Sequence, residues 1–326
     1  MKAVLPPFWI GAFTVFWAAC VSSLASESAL TLSVDDGRDE AEVRFRGHRV
    51  MLYAFSKTQF KPYVRELCPL GGANILRDAP RDHPHHHGLM YAIRVNGVNF
   101  WEERGTPGHE RHVRWLSCDT GADAEGRPAV TLVEQLHWIA DKDKDLADSA
   151  SAALLIETRT LRIGVEEKTG EVVVDWQGEF EVGAGAERVQ LHGSEYNGLG
   201  MRMPESWDRV AVHENSTRLP FPNGGRRDVL PARWTSTTHG SDGGRETMLA
   251  FFGHEANAGG ETRFFTELVP YCYVSATQGL NAAPIEHARG ERWSVRYLLA
   301  VYSERKTPEF LDERWRQWNQ ISKEKR

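Results

Sequence analysis

LMYAIRVNGVNFW, residues 89–101, holds two short apolar and β-branched runs on either side of Asn96-Gly97. Asn-Gly between such runs is typical of a two-residue turn joining antiparallel strands, because both central residues of that turn take a positive φ. Similar runs recur along the chain with few helical segments between them, at residues 30–34, 42–55, 130–139, 154–163, 171–182, 210–212, 247–252, 262–268, 271–276 and 293–302. The pattern predicts an all-β protein, a large antiparallel β-sandwich.

One helix is predicted, at the C-terminal end. Thr307 can cap it and Pro308 suits its first turn. An apolar stripe follows at helical spacing, made of Phe310, Leu311, Trp315, Trp318 and Ile321. Residues 141–151 and 219–242 are expected to be loops, and there is no internal repeat. We therefore predict a single β-sandwich domain over residues 26–326 with a helix at its end.

Residues 1–25 are typical of a secretory signal peptide. Lys2 precedes an uncharged apolar stretch at residues 8–21, and Ser23-Leu24-Ala25 is a small-x-small cleavage pattern. A stretch of about 14 residues is short for a membrane span, which needs about 20. We predict a periplasmic or secreted protein without an integral span after processing, and a lipid anchor at Cys20 is the alternative.

Net charge and cysteine count limit the classes of partner and of covalent cross-link that the chain can have. The formal net charge is −6, with acids and bases interspersed, which argues against nucleic acid. Cys68, Cys118 and Cys272 would stay in the processed chain, so at most one disulfide can form within it. Which two cysteines would pair is open.

Histidines are concentrated just before the hairpin, in the run Arg81-Asp82-His83-Pro84-His85-His86-His87-Gly88, which holds four of the chain's 13. Pro84 disfavours helix, so we predict an extended or turning segment with His83, His85 and His87 on one side and His86 on the other. Two charged imidazoles roughly 7 Å apart would repel by roughly 2 kcal/mol, so some are expected to be neutral at pH 7. Neutral imidazoles transfer protons or bind metals, and Asp82 can orient one of them.

Three further segments can contribute to a site. Asn99 and Trp101 follow the hairpin turn, beside the carboxylates Glu102 and Glu103, and the flat ring of Trp101 can stack on a sugar. The glycine-rich run at residues 192–200 carries His192, Glu195 and Asn197, and residues 254–257 carry His254 and Asn257 after an apolar strand.

Several motifs together resemble one bacterial family, the "methane oxygenase PmoA" family, whose domain is of unknown function. The resemblance spans roughly residues 45–303 and is carried by residues 82–89, 96–101, 196–202, 232–234 and 254–257. It implies an exported β-sandwich similar to mutarotase-like carbohydrate proteins. This chain has His87 where the family often has Arg, and Glu255 where it often has Pro. Literal membrane oxygenase chemistry is not expected, because such enzymes need several spanning helices.

The leading hypothesis is an exported carbohydrate-active enzyme that uses the histidines for acid–base chemistry in hydrolysis, elimination or epimerisation of a glycan or sugar. His85 and His86 are the candidate general acid and base, with His254 and Glu195 as partners from distant segments. The residues expected to orient these groups or bind substrate are Asp82, His83, His87, Asn99, Trp101, His192, Asn197, Arg202 and Asn257.

Two alternatives stay open. In the first, a divalent metal is bound by His83, His85 and His254, although the run is not a zinc signature and no other cofactor is indicated. In the second, the protein binds glycans without catalysis. The expected partner is a carbohydrate in each reading.

Overall fold

The computed structural model describes residue 1 and residues 29–324, apart from 106, 124–125, 147–149 and 241–243. The predicted signal peptide and Cys20 lie outside the described residues. No helix among the residues described is long and apolar enough to cross a membrane.

Two large sheets and one small sheet form the described part of the chain, with antiparallel pairing along the strands. The first sheet has nine strands, in the order β1 (Leu30–Asp35), β2 (Glu40–Phe45), β3 (His48–Ala54), β4 (Tyr63–Leu67), β5 (Leu89–Ala92), β13 (Gly198–Arg202), β19 (Tyr273–Thr277), β18 (Arg263–Glu267) and β15 (Asp228–Pro231).

The second sheet has eight strands, in the order β14 (Val212–Asn215), β16 (Trp234–Gly240), β17 (Glu246–Gly253), β21 (Arg292–Tyr302), β11 (Glu171–Val182), β10 (Leu155–Glu166), β9 (Pro128–Ala140) and β8 (Gly108–Ala122). The small sheet consists of β20 (Ile285–Ala288), β12 (Arg188–His192), β6 (Arg94–Val95) and β7 (Val98–Asn99).

The inner faces of the two large sheets bury the main core. Tyr91 on β5 contacts Trp138 on β9 and Trp176 on β11, with ring centroids 5.9 and 5.0 Å apart. Phe264 on β18 meets Phe251 on β17 at 5.4 Å. Alternate residues of each strand therefore face this core and leave the other face of each sheet free for a helix or a site.

The C-terminal helix α1 (Pro308–Glu324) covers part of the outer face of the second sheet. Thr307 Oγ1 accepts a hydrogen bond from the Phe310 amide at 3.3 Å, which confirms the predicted cap. Leu311 and Trp318 are buried against a second apolar cluster on that sheet face. The predicted all-β antiparallel sandwich with a C-terminal helix is thus confirmed.

Three details of the strand prediction were wrong. Residues 42–55 form two strands, because Arg46 and Gly47 both take positive φ values, 49° and 81°, and turn the chain back. The expected loop at 219–242 contains the whole of β15 and β16. The 15-residue strand β8 was missed, because it forms an edge of its sheet and carries many polar, half-exposed residues.

The cysteines Cys68, Cys118 and Cys272 are free thiols in the described structure. Cys68 and Cys272 are buried, and burial raises the pKa of both thiols. None of the three is bonded to another, so the described fold is held by its core.

Candidate functional site

The histidine run folds as consecutive turns, and the expected extended alternation was wrong. The His86 amide donates to the His83 carbonyl at 2.9 Å, and the Ala79 amide donates to the His86 carbonyl at 2.9 Å. The turn brings His86 to the same side as His83 and His85, while His87 faces away.

A cavity of about 210 Å³ lies beside these turns, on the outer face of the first sheet. Tyr273 on β19 and Phe265 on β18 form part of its floor. It is lined by His83, His85, His86, Trp101, Glu102, Arg104, Tyr196, Arg227, Phe265, Tyr271 and Tyr273. Sequence reasoning missed Tyr271 and Tyr273, although alternate residues of a strand share one face and this spacing could have found them.

His86 is packed into the wall of the cavity. Its ring stacks on His83, with centroids 4.6 Å apart, and lies 5.4 Å from the ring of Tyr273. Burial, followed by the nearby His85 and His83, lowers the pKa of His86 to about 2. This imidazole is therefore neutral at pH 7 and forms a flat surface inside the site.

His85 is less enclosed than His86. Burial, then the charges of His83 and Lys61, lowers the pKa of His85 to about 4. A neutral imidazole at the cavity wall can accept one hydrogen bond and donate another. The sequence-based expectation that some of these histidines are neutral agrees with both shifts.

Asp82 orients His83. The Asp82 carboxylate lies 3.0 Å from Nδ1 of His83 and accepts a hydrogen bond from Nη2 of Arg202 at 3.1 Å. Burial acts to raise the pKa of Asp82, but the bond with His83 and the charge of Arg202 together lower it to about 2. An ionised Asp82 favours the proton on Nδ1, which leaves Nε2 of His83 as a proton acceptor.

Arg202 reaches this carboxylate from the end of β13. It is buried, and its guanidinium lies 3.7 Å from the ring centroid of Tyr271, which also lines the cavity. Arg202 was predicted to orient site residues or bind substrate. In the structure it lies behind Asp82 and Tyr271 and does not line the cavity.

Asn99 fixes the opposite wall. Its side-chain oxygen accepts hydrogen bonds from the amides of Trp101 and Glu102, at 3.0 and 3.2 Å, and its Nδ2 donates to the Glu102 carboxylate at 2.9 Å. Trp101 is almost fully buried, with its ring 5.5 Å from that of Tyr196. Asn99 therefore positions an aromatic ring and a carboxylate at the cavity without lining it.

His87 belongs to a neighbouring polar cluster that the sequence did not reveal. Its Nδ1 bonds Asp78 at 2.8 Å and its Nε2 lies 3.2 Å from Glu103, which also pairs with the buried Lys61. Burial acts to lower the pKa of His87, but the bonds to Asp78 and Glu103 raise it. His87 thereby ties the histidine turns to the loop that carries Trp101.

The glycine-rich segment reaches the cavity only in part. Glu195 pairs with Arg227, which lines the cavity, whereas the buried Asn197 accepts the Ser194 amide at 2.8 Å and holds a turn. His192 lies on β12, where its Nε2 accepts the Gly97 amide at 3.2 Å. The structure therefore brings Glu195 to the rim and leaves His192 outside.

His254 and Asn257 line a different cleft, of about 430 Å³, beside helix α1. His254 packs edge-on against Trp318 at 5.2 Å, and Asn257 accepts the Arg296 amide at 2.7 Å. The expectation that these two residues converge with His85 was wrong. They follow β17 and line a cleft at the outer face of the second sheet, whereas His85 lines the cavity on the first sheet. Two ion pairs lie in this cleft, Arg296 with Asp175 and Arg127 with Asp123.

The metal site proposed on His83, His85 and His254 is not formed, since His254 lines the other cleft. Across the residues that the structure describes, no three His, Cys, Asp or Glu side chains are grouped so as to hold a metal ion. The donors at the His83 cavity therefore do not fit a metal that needs three protein ligands.

Acidification is expected to destabilise the fold through His85 and His86. Their folded pKa values lie below the unfolded value of about 6.5, so the unfolded chain takes up protons first as the pH falls below that value. We expect His86→Phe, which keeps a ring in the stack, to flatten the fall in the free energy of unfolding between about pH 7 and pH 4. Urea titrations at stepped pH measure it, with the exposed His48→Phe as control. Identical slopes in wild type and His86→Phe would contradict the neutral burial of His86.

Gly88 ends the histidine run where only glycine fits. Its φ is +31°, and an added Cβ would lie 2.1 Å from the Val64 carbonyl oxygen. We expect Gly88→Ala to lower the free energy of unfolding by about 3 kcal/mol, from backbone strain and the clash combined. Gly97→Ala, with φ +79° and open space around it, should cost about 1 kcal/mol. Equal losses in urea denaturation would refute the steric argument.

The chain belongs to a family of unknown function, DUF6807, whose model matches residues 40–316. This match does not test the resemblance to the methane oxygenase PmoA family, which stays a prediction. A search of curated proteins finds no match.

Some solved structures are similar in outline. The Slr1438 protein of Synechocystis sp. PCC 6803 aligns at 10% identity and a TM-score of 0.32, over 91% of this chain and 100% of its own. A galactose mutarotase related enzyme from Lactobacillus acidophilus aligns at 6% identity and 0.35, over 85% and 100%. A glycoside hydrolase family 97 enzyme from Pseudoalteromonas sp. strain K8 aligns at 8% identity and 0.36, and the alignment covers 83% of this chain but 34% of that enzyme. TM-scores of this size carry no conclusion about function.

Proposed function

We propose that this protein is an exported carbohydrate-active enzyme that moves a proton on a sugar bound in the His83 cavity. The observation that carries the proposal is the pairing of an Asp82-oriented His83 with a neutral His85 at one aromatic cavity. Titratable groups with shifted pKa values in a cleft are typical of active sites. Export rests on the sequence of residues 1–25 alone.

The lining of the cavity suits a sugar. Aromatic rings offer flat apolar surfaces to the apolar faces of sugars, while polar side chains around them can bind hydroxyl groups. The aromatic residues at the cavity are Trp101, Tyr196, Phe265, Tyr271 and Tyr273. At about 210 Å³ the cavity is smaller than the roughly 300–1,000 Å³ of sites for drug-sized ligands, which favours a single sugar residue.

The acid–base groups favour epimerisation or elimination over hydrolysis. Most glycoside hydrolases need two carboxyl groups flanking the bond that breaks. Among the described residues that line the cavity, Glu102 is the one carboxylate. In our proposal Nε2 of His83 accepts the proton, while Glu102, on the wall that Asn99 positions, serves the opposite side of the sugar.

The test is proton exchange between sugars and solvent. Wild-type protein is incubated in D₂O with a panel of neutral and acidic monosaccharides and their methyl glycosides, and exchange or new products are followed by NMR. We expect the double variant His83→Gln/His85→Gln to lose at least about 10²-fold of the rate. His192→Gln, outside the cavity, is the matched control and should keep it.

Two results would reject the enzymatic proposal. One is an unchanged rate in the folded double variant. The other is saturable sugar binding without exchange or product for every sugar in the panel, which would instead support the non-catalytic glycan-binding alternative.

A further inference from the structure

Cationic groups outnumber anionic ones at the His83 cavity. Arg104 and Arg227 line it, against the single carboxylate of Glu102. The chain as a whole carries a formal net charge of −6, so the charge of the lining side chains is opposite in sign to that of the molecule, while Glu195 pairs with Arg227 at the rim. A local reversal of this kind concentrates ligands of negative charge.

The carboxylate at the cavity already has donors of its own. Glu102 accepts Nδ2 of Asn99 at 2.9 Å, and Nη2 of Arg94 lies 3.4 Å from it. It keeps acceptor capacity, so one carboxylate faces two guanidinium groups at the cavity.

The two arginines are left with unused donors. Arg227 forms one bond to Glu195, which is at the rim, and its guanidinium lies 5.9 Å from the ring centroid of Phe265. Arg104 makes no hydrogen bond or ion pair with any residue that the structure describes. A guanidinium has five N–H groups, so most of the donors of this pair face no protein partner.

A third guanidinium lies behind the cavity wall. Arg202 is 2% exposed, and its Nε and Nη1 have no hydrogen-bond partner among the described residues. Its Nη2 is used by Asp82, and its plane covers Tyr271. Because the ionised Asp82 pairs with this guanidinium, Arg202 adds little net charge to the cavity, and its contribution is two buried donors without a partner among the described residues.

We propose that the sugar bound in this cavity carries a carboxylate, as in a uronic acid residue, and that Arg104 and Arg227 bind that carboxylate. The inference rests on the proposed function of the same site. Arginine suits this role because its planar fork matches a carboxylate with two parallel hydrogen bonds.

A carboxylate also fits the proton transfer. When the C–H bond next to it breaks, the proton goes to Nε2 of His83, and the electron pair is delocalised into the carboxylate. Guanidinium groups on the carboxylate stabilise this charge as it develops. The same contacts would then serve both substrate selection and the reaction.

The test compares matched sugars that differ in this group alone. Binding of methyl glucuronide, galacturonide and mannuronide is measured by calorimetry beside methyl glucoside, galactoside and mannoside, at low and high salt. We expect at least one uronide to bind about 10-fold or more tightly than its neutral partner, with a preference that shrinks as salt rises. The variant Arg104→Gln/Arg227→Gln should lose this preference and keep its affinity for neutral glycosides. Arg188→Gln, which removes an exposed arginine on β12, is the control.

The possible outcomes separate this inference from the proposed function. A neutral glycoside that binds as tightly as its uronide, and exchanges protons in wild type, would overturn the inference and leave the enzyme proposal standing. A uronide preference that survives in the double variant would also overturn it. Binding of no glycoside from either series would count against both.

Discussion

Replacing Asp82 by Asn is expected to lower the rate of sugar turnover about 10²- to 10⁴-fold, the range found for a misoriented or lost general base. In the wild type the carboxylate accepts the Nδ1 proton of His83 at 3.0 Å. An Asn amide can donate through Nδ2 to the same nitrogen, which moves the imidazole proton to Nε2. Since a protonated Nε2 cannot accept a proton from the substrate, the base is lost although the ring stays in place. Turnover is measured by the D₂O exchange assay.

Asp78→Asn is the matched control for this variant. Asp78 bonds Nδ1 of His87 at 2.8 Å in the same manner, but His87 does not line the cavity. We expect its turnover to stay within about threefold of wild type, because no reacting group changes its tautomer.

A pH profile separates orientation from mere structural support at Asp82. Asp82→Glu keeps a carboxylate, so we expect part of the turnover rate to return, with the same fall in rate at low pH as in the wild type. Asp82→Asn should recover neither the rate nor this pH dependence. Equal losses in the Asn and Glu variants, with unchanged profiles, would exclude the role assigned to Asp82.

The sequence located the histidine turns and Trp101, and it missed the part of the candidate site that comes from β18 and β19. The histidine run is recognisable because its density is high, and Trp101 is close to it along the chain. Tyr271 and Phe265 reach the cavity only because β19 lies beside β13, and β18 beside β19, in the first sheet. The order of strands that are about 60 or more residues apart depends on how the whole sheet assembles, and no local pattern encodes it.

The faces of the histidines depend on turns that local rules describe poorly. Pro84 correctly predicted a non-helical segment, but the bond from the His86 amide to the His83 carbonyl rotates His86 into the cavity. His254 was expected at the cavity and lies outside it. The sequence did not determine its side, because a residue at a strand end can point to either side of a sandwich. Its placement was decided by packing against Trp318 of helix α1.

Alternation predicted most strands well but could not predict a charged core. Along β10, Glu157 and Arg159 occupy inward positions that apolar residues usually fill, and both are almost completely buried. Their alternation with outward residues is regular, so the strand was predicted correctly. That these charges face the inside follows only from the ion pairs that stabilise them there.

Arg159 is the centre of this buried network. Its Nε and Nη2 donate to Glu157 at 2.7 and 2.9 Å, and Nη2 also donates to Glu110 at 3.0 Å. Its Nη1 donates to the Pro62 carbonyl at 3.0 Å and lies 3.3 Å from the Tyr53 hydroxyl. The guanidinium thereby links β10 of the second sheet to β3 and to the residue before β4 of the first sheet.

Removing this guanidinium is expected to produce the largest loss of stability. Burial raises the pKa of Glu157 and Glu110, with Arg159 opposing the rise. Without Arg159, both carboxyl groups lose their charge partner inside the core. We expect Arg159→Met to lower the free energy of unfolding by about 3–5 kcal/mol, measured by urea denaturation followed through tryptophan fluorescence.

Arg162→Met is the matched control, because Arg162 lies on the same strand and is exposed on the opposite face. We expect Arg162→Met to change the free energy of unfolding by no more than about 0.5 kcal/mol. Adding Glu157→Gln to Arg159→Met should restore part of the stability, since one stranded carboxyl group is replaced by a neutral amide. If Arg159→Met and Arg162→Met unfold at the same urea concentration, the network does not hold the two sheets together. A Glu157→Gln substitution that costs further stability when added to the Arg159→Met variant would likewise show that the remaining carboxyl group is not what destabilises the core.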